Sequence, residues 1–162
     1  MIQNSKYKIQ RGFTLIEILV VVAIIGILSS VILVGLNTAR KQGRDTRRIA
    51  DLRQVQNALE LYFQKNGQYP GGNTINSWSA LQTALTTGSN APGGITNIPD
   101  DPLGTTHYVY CYQSSGYTSY ILEATLEDPN NAALKNDLNT LPSGYTCTAL
   151  INCNDPQYCI QM

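Results

Sequence analysis

The feature that most constrains this chain is an uninterrupted apolar tract near the N-terminus that holds one charge. From Phe13 to Leu36 the only ionisable side chain is Glu17. These 24 residues make about 36 Å of helix, enough to cross a bilayer core of about 30 Å. The alternative is a helix buried in a soluble core, and length and the near-absence of polar groups argue against it. A carboxylate in hydrocarbon costs on the order of 2.5–3.5 kcal/mol even on lenient insertion scales, so it survives where it has a partner and a role. The tract holds no cation, which puts the partner on another chain or at a chain terminus.

The flanks decide how the tract is used. A secretory signal has a basic start, a short apolar core, and a small-residue cleavage site after that core. Here the basic segment (Lys6, Lys8, Arg11) ends in Gly12, before the apolar run begins. A cut after Gly12 keeps the apolar segment as a new N-terminus. Both flanks are basic, because residues 40–53 carry Arg40, Lys41, Arg44, Arg47, Arg48 and Arg53 against two acids, so charge counting alone leaves the orientation open. The four cysteines, Cys111, Cys147, Cys153 and Cys159, settle it. An even number confined to a small, Tyr-rich region reads as disulfides in an oxidising compartment, so the C-terminal part lies outside the cytoplasm. Past Asn66 there are seven acids and one base, Lys135, which disfavours nucleic acid as a direct ligand of that part.

The pattern divides the chain into a leader, 1–12; a membrane-spanning helix, 13–36; an amphipathic continuation, 37–67; and a β-rich head, 68–162. In the third zone Ile49, Leu52, Val55, Leu59 and Tyr62 recur at steps of three or four, with Ala58 and Phe63 beside them. Arg48, Gln54, Gln56 and Glu60 are expected on other faces. With no proline before Tyr69-Pro70, one helix of about 53 residues is expected, weakened at Gly35 and Gly43 and capped by Asn66-Gly67. In the head, Ser77 to Leu85 fits a short helix capped by Ser77. Thr106–Tyr112 and Tyr117–Leu126 read as an antiparallel hairpin, with Tyr145–Ile151 and Gln157–Met162 as final strands. A small sheet must bury one face, and the apolar stripe of the long helix is the natural cover. The expected fold is therefore α+β: a long N-terminal helix on a small C-terminal antiparallel sheet.

Lys8 to Glu17 and the apolar tract after it resemble the processing site of type IV pilins and type II secretion pseudopilins. Arg44 to Leu52, Ala58-Leu59-Glu60-Leu61-Tyr62, Asn66 to Pro70, and Ile98-Pro99-Asp100-Asp101-Pro102 are also similar to that family. Many relatives carry a helix-breaking proline about where Val34-Gly35 stands, and this chain does not. The resemblance implies that a membrane-embedded prepilin peptidase cuts between Gly12 and Phe13 and N-methylates Phe13. The freed amine keeps its positive charge and supplies the missing cation. Glu17 would pair with it, within one chain or between copies, and act in assembly. The resemblance further implies a homopolymer, drawn from the inner membrane by an assembly ATPase and platform. Four head cysteines lean towards a type IV pilus subunit displayed on the cell surface, in motility or adhesion, and that is the expected function. The Pro-Asp-Asp-Pro turn leans towards the alternative, the major pseudopilin of a type II secretion system. A single-span membrane protein with a binding or sensory head is the reading from another class.

No catalytic constellation is visible, and no enzyme activity is expected. His107, the sole histidine, reads as a strand-surface residue. The cysteine spacings do not suit a zinc knuckle. Three disulfide pairings are open; the expected one joins Cys153 to Cys159 and Cys111 to Cys147. No cofactor or metal is expected, although Asp100-Asp101 and Glu127-Asp128 with Asn130-Asn131 are oxygen-rich enough for Ca²⁺. Solvated turns explain them equally well. The basic run Arg40 to Arg53 is expected either on neighbouring heads or lipid phosphates, or simply in water.

Overall fold

The computed structural model describes residues 12–72, 75, 77–104, 108–149 and 151–162, with backbone alone for 31–34. The leader before Gly12, His107 and the start of the first expected strand, Thr106, lie outside the described residues. The chain divides into two compact units, one ending at Ala39 and one running from Arg40 to Met162. A single helix, α1 (Leu15–Asn66), supplies residues to both.

In the first unit α1 is apolar on every side and its described side chains are exposed, including Leu15, Ile16, Ile18, Leu19 and Ile27. A helix hydrophobic all round belongs in a membrane or a bundle, not on a water-facing surface. In the second unit α1 becomes amphipathic. Leu52, Val55, Leu59 and Tyr62 are buried, with Ala58 beside them and Ile49 and Phe63 packed at the edge. The helix stops at Gly67, whose φ of 71° lets its N–H reach Phe63 O at 2.7 Å.

The head adds α2 (Trp78–Thr86), β1 (Tyr108–Gln113), β2 (Tyr120–Thr125), a 3-10 turn (Ala132–Lys135), β3 (Tyr145–Cys147) and β4 (Gln157–Gln161). Ser77 caps α2 by accepting from Ala80 N at 3.1 Å. The strands form one antiparallel sheet in the order β3-β1-β2-β4. Period-two alternation sends Tyr108, Tyr110, Tyr112, Tyr120, Leu122 and Ala124 to the core shared with α1. The other face carries Val109, Cys111, Ile121 and Cys159 into a second cluster, closed by Cys153 and by Leu138, Leu141 and Ile151 at its margin. One covered face was expected; both faces of β1 and β2 are covered. Two disulfides, Cys111–Cys147 and Cys153–Cys159, staple this outer layer. The expected strand Tyr145–Ile151 is shorter, ending at Cys147, because Thr148 turns to bond both the N–H and the carbonyl of Tyr110.

Tyrosines build much of the inner face, and several of their hydroxyls find partners there. Tyr110 OH donates to Pro70 O at 2.7 Å, Tyr112 OH to Gly72 O at 3.1 Å, and Tyr69 OH to Glu60 Oε1 at 2.8 Å. At Gly71 an added Cβ would run into the Tyr117 ring, so the chain needs glycine to pass there.

Candidate functional site

The first candidate is the N-terminal end of α1. Leu15 is the first helical residue, so Thr14 is the N-cap and Glu17 stands three positions further on. Thr14 N donates to Glu17 Oε2 at 2.7 Å and Thr14 Oγ1 to the same oxygen at 2.6 Å; Glu17 N approaches Thr14 Oγ1 at 3.4 Å. This is a reciprocal capping box, which satisfies donors that a helix start leaves open. It was readable as Thr-x-x-Glu before an apolar run, and the reading of Glu17 as a partner for Phe13 passed over it. The hydrogen bonds that Glu17 accepts here come from Thr14. Phe13 beside it is 84% exposed, and a side chain at Gly12 would meet nothing within 4 Å. Among the described residues up to Leu36, Glu17 is the single acid, set among exposed apolar side chains.

The second candidate sits where α1 enters the head. Arg48 was expected on a face other than the apolar stripe; it is fully buried. Its position explains this, since Arg48, Leu52, Val55 and Leu59 follow one another by four, three and four residues on a single stripe. Arg48 Nε donates to Asp101 Oδ2 at 2.6 Å, and Arg48 Nη1 to Asp45 Oδ1 at 2.8 Å and Glu127 Oε1 at 2.9 Å. Arg44 grips Glu127 with two bonds of 2.6 Å. Asp45 in turn accepts from the N–H groups of Glu127 and Asp128, both at 2.9 Å. Burial pulls the Arg48 pKa down, but the bonds to Asp101, Glu127 and Asp45 outweigh it and leave it above the ordinary value. The Arg44 guanidinium, with Arg48 behind it, holds the Glu127 carboxyl down at about 2.

This cluster corrects two expectations. Asp101 and Glu127 are not solvated turn residues; they are gripped by arginines from α1. Nor does the whole basic run face neighbours or lipid, since Arg44 and Arg48 turn inward. Among the described residues no group of three or more His, Cys, Asp or Glu could hold a metal ion. Of the oxygen-rich residues, Asp128 and Asn131 cap turns, accepting from Asn130 N and Ala133 N. Glu123, which sequence reasoning missed, is 2% exposed on the outer face of β2, between Val109 and Cys159. Burial pushes its carboxyl up to about 7, against the Thr125 hydroxyl that donates to it at 2.8 Å.

A capped apolar helix running into a stripe that covers a small antiparallel sheet is the pilin-like fold. Residues 7–33 match the prokaryotic N-terminal methylation motif, and residues 36–137 match the type II secretion system protein G family. A type II secretion system core protein G of Pectobacterium carotovorum is 35% identical over 63% of this chain and 67% of its own length. The Vibrio cholerae protein of the same description is 34% identical, covering 69% of this chain and 76% of the relative. A fimbrial protein of Neisseria meningitidis is 40% identical, but over 41% of this chain and 39% of its own length. No solved structure matches the chain significantly. The chain belongs to the type II secretion system protein G family, a structural family rather than an enzymatic one. The expected pilus function gives way at this point, because the profile and the longer alignments favour the secretion protein. Cysteines in the head do not mark a surface pilus; here they staple a second layer of the sheet.

Proposed function

We propose that this chain is the major pseudopilin of a type II secretion system, a structural subunit that polymerises through α1. Prepilin peptidase removes residues 1–12, cutting between Gly12 and Phe13, and methylates the Phe13 amine. The apolar segment 13–36 holds the subunit in the inner membrane with the head on the periplasmic side. An assembly ATPase and its platform then draw subunits into a filament, where apolar segments bury one another. The new Phe13 ammonium takes over part of the role Thr14 plays for Glu17, so each carboxylate enters the bundle neutralised.

The observation that carries this reading is the succession of two matches, a methylation motif over 7–33 and protein G over 36–137, on a helix that is apolar up to Leu36 and amphipathic beyond it. The test is to express the full chain in cells with and without prepilin peptidase. The mature N-terminus is read by mass spectrometry and the sheared fraction by electron microscopy. A methylated Phe13 terminus and peptidase-dependent fibres are expected. Recovery of the uncut chain as lone membrane monomers would instead favour a simple single-span anchor.

A further inference from the structure

Of the acids beyond Asn66, Asp101 and Glu123 are buried, Asp128 and Asp137 are half-buried, Glu127 is gripped by Arg44, and Asp100 and Asp155 stand exposed. Asp100 lies at the rim of a cavity of 460 Å³ whose wall includes Trp78, Gln82 and Tyr108. Gln82 Nε2 positions the Asp100 carboxylate at 3.0 Å, and Trp78 Nε1 is tied to Pro99 O at 3.1 Å. An indole beside an exposed carboxylate is a seat for a guanidinium, which stacks on the ring and pairs with the acid.

The flank on which this seat lies follows from α1. Tyr108 packs edge-on against Trp78, with ring centroids 5.3 Å apart, and donates to Asp51 at 2.8 Å. The seat is therefore on the Asp51 side of the helix. Arg53 follows two residues later, about 200° further round, on the opposite flank. It is exposed, and its described contact is Gln56 Oε1 at 2.8 Å. Arg47, by contrast, stands beside Asp51 on the seat's own side, at 3.7 Å.

A cation on one flank and its seat on the other cannot meet within one molecule, but they can meet between copies. Such a contact is heterologous and leaves both a free cation and a free seat at the ends, so it propagates. We infer that Arg53 of one copy docks beside Trp78 and Asp100 of the next, and that this contact sets the lateral register of neighbouring heads. The inference rests on the polymeric reading above.

The test uses the full chain in cells that carry the processing and assembly machinery, with Arg53→Asp, Asp100→Arg and the double variant. Processing of Gly12–Phe13 and thermal midpoint are expected to stay at wild-type values, because both side chains are exposed. Each single reversal is expected to lower the mass of sheared filaments roughly tenfold, and the double to restore it to within about twofold. Wild-type yield from the single variants, or failure of the double to recover, overturns the contact and leaves the filament reading intact. Absence of filaments from the wild type, with normal processing, overturns the filament reading and the contact with it.

Discussion

An arginine with no exposed surface cannot be removed without stranding what it neutralised. Arg48→Ala removes the guanidinium that pairs with the buried Asp45 and Asp101. The expected cost is about 3–5 kcal/mol, read as a lowered urea midpoint of the head. Glu123 makes the opposite case, a buried acid for which no cation is provided. Its pKa of about 7 stands above the ordinary 4.5, so between those values the folded chain holds a proton that the unfolded chain has released. Stability contributed by this group is thus complete below pH 4.5, declines as pH rises towards 7, and is fully lost above it, a cost on the order of 3 kcal/mol. Glu123→Gln keeps the acceptor for Thr125 and cannot ionise. It is expected to raise the thermal midpoint at pH 8 and leave it nearly unchanged at pH 4. Glu127 runs the other way: with a pKa of about 2, its contribution is present above 4.5 and disappears as pH falls through 2. Glu127 stood out in the sequence as one of several oxygen-rich residues, and Glu123 did not. Glu123 looks like an ordinary polar alternation in a strand that is half exposed, and only the second layer over β2 makes it buried.

At the scale of elements, the parts that local chemistry dictates were legible. The tract to Leu36, the stripe Leu52–Val55–Leu59–Tyr62, the Ser77 cap of α2 and the hairpin of β1 with β2 each follow from periodicity or a capping residue. The long-range parts were less so. Pairing of β4 with β2 depends on contacts roughly 32 to 40 residues apart in sequence, which no window of periodicity senses, whereas the link of β3 to β1 was foreshadowed by the expected Cys111–Cys147 bridge. The bridges repay that separation unequally. Cys111–Cys147 spans 36 residues and Cys153–Cys159 spans 6. Chain-entropy arguments give about 4 kcal/mol for the longer loop and about 2 for the shorter. Replacing Cys111 and Cys147 by serine is therefore expected to lower the denaturation midpoint roughly twice as far as replacing Cys153 and Cys159. At the start of α1, Thr14→Val removes the hydroxyl half of the capping box. It is expected to cost about 1 kcal/mol locally and to speed amide exchange in the first helical turn, measured in detergent micelles.

For the molecule as a whole, the division at Ala39 has a direct experimental form. Both hydrophobic clusters, the arginine cluster and both disulfides lie between Arg40 and Met162. A fragment 40–162 secreted into an oxidising compartment is expected to be soluble, with near-UV dichroism and midpoint close to those of the full chain. Gly12, Phe13 and Glu17 sit in one continuous stretch that the N-terminal methylation motif covers, whereas the arginine cluster joins residues from 44 to 127 and exists only once the chain has folded. The outer strands carry a last consequence. Both β3 and β4 come from residues 145–161, while the strands they flank were made more than twenty residues earlier. A ribosome feeding this chain through a translocon therefore delivers the middle of the sheet first and its borders last. Until the final residues emerge, the hairpin waits with two open sides, and a holding chaperone on the far side of the membrane would have its widest opportunity in that interval.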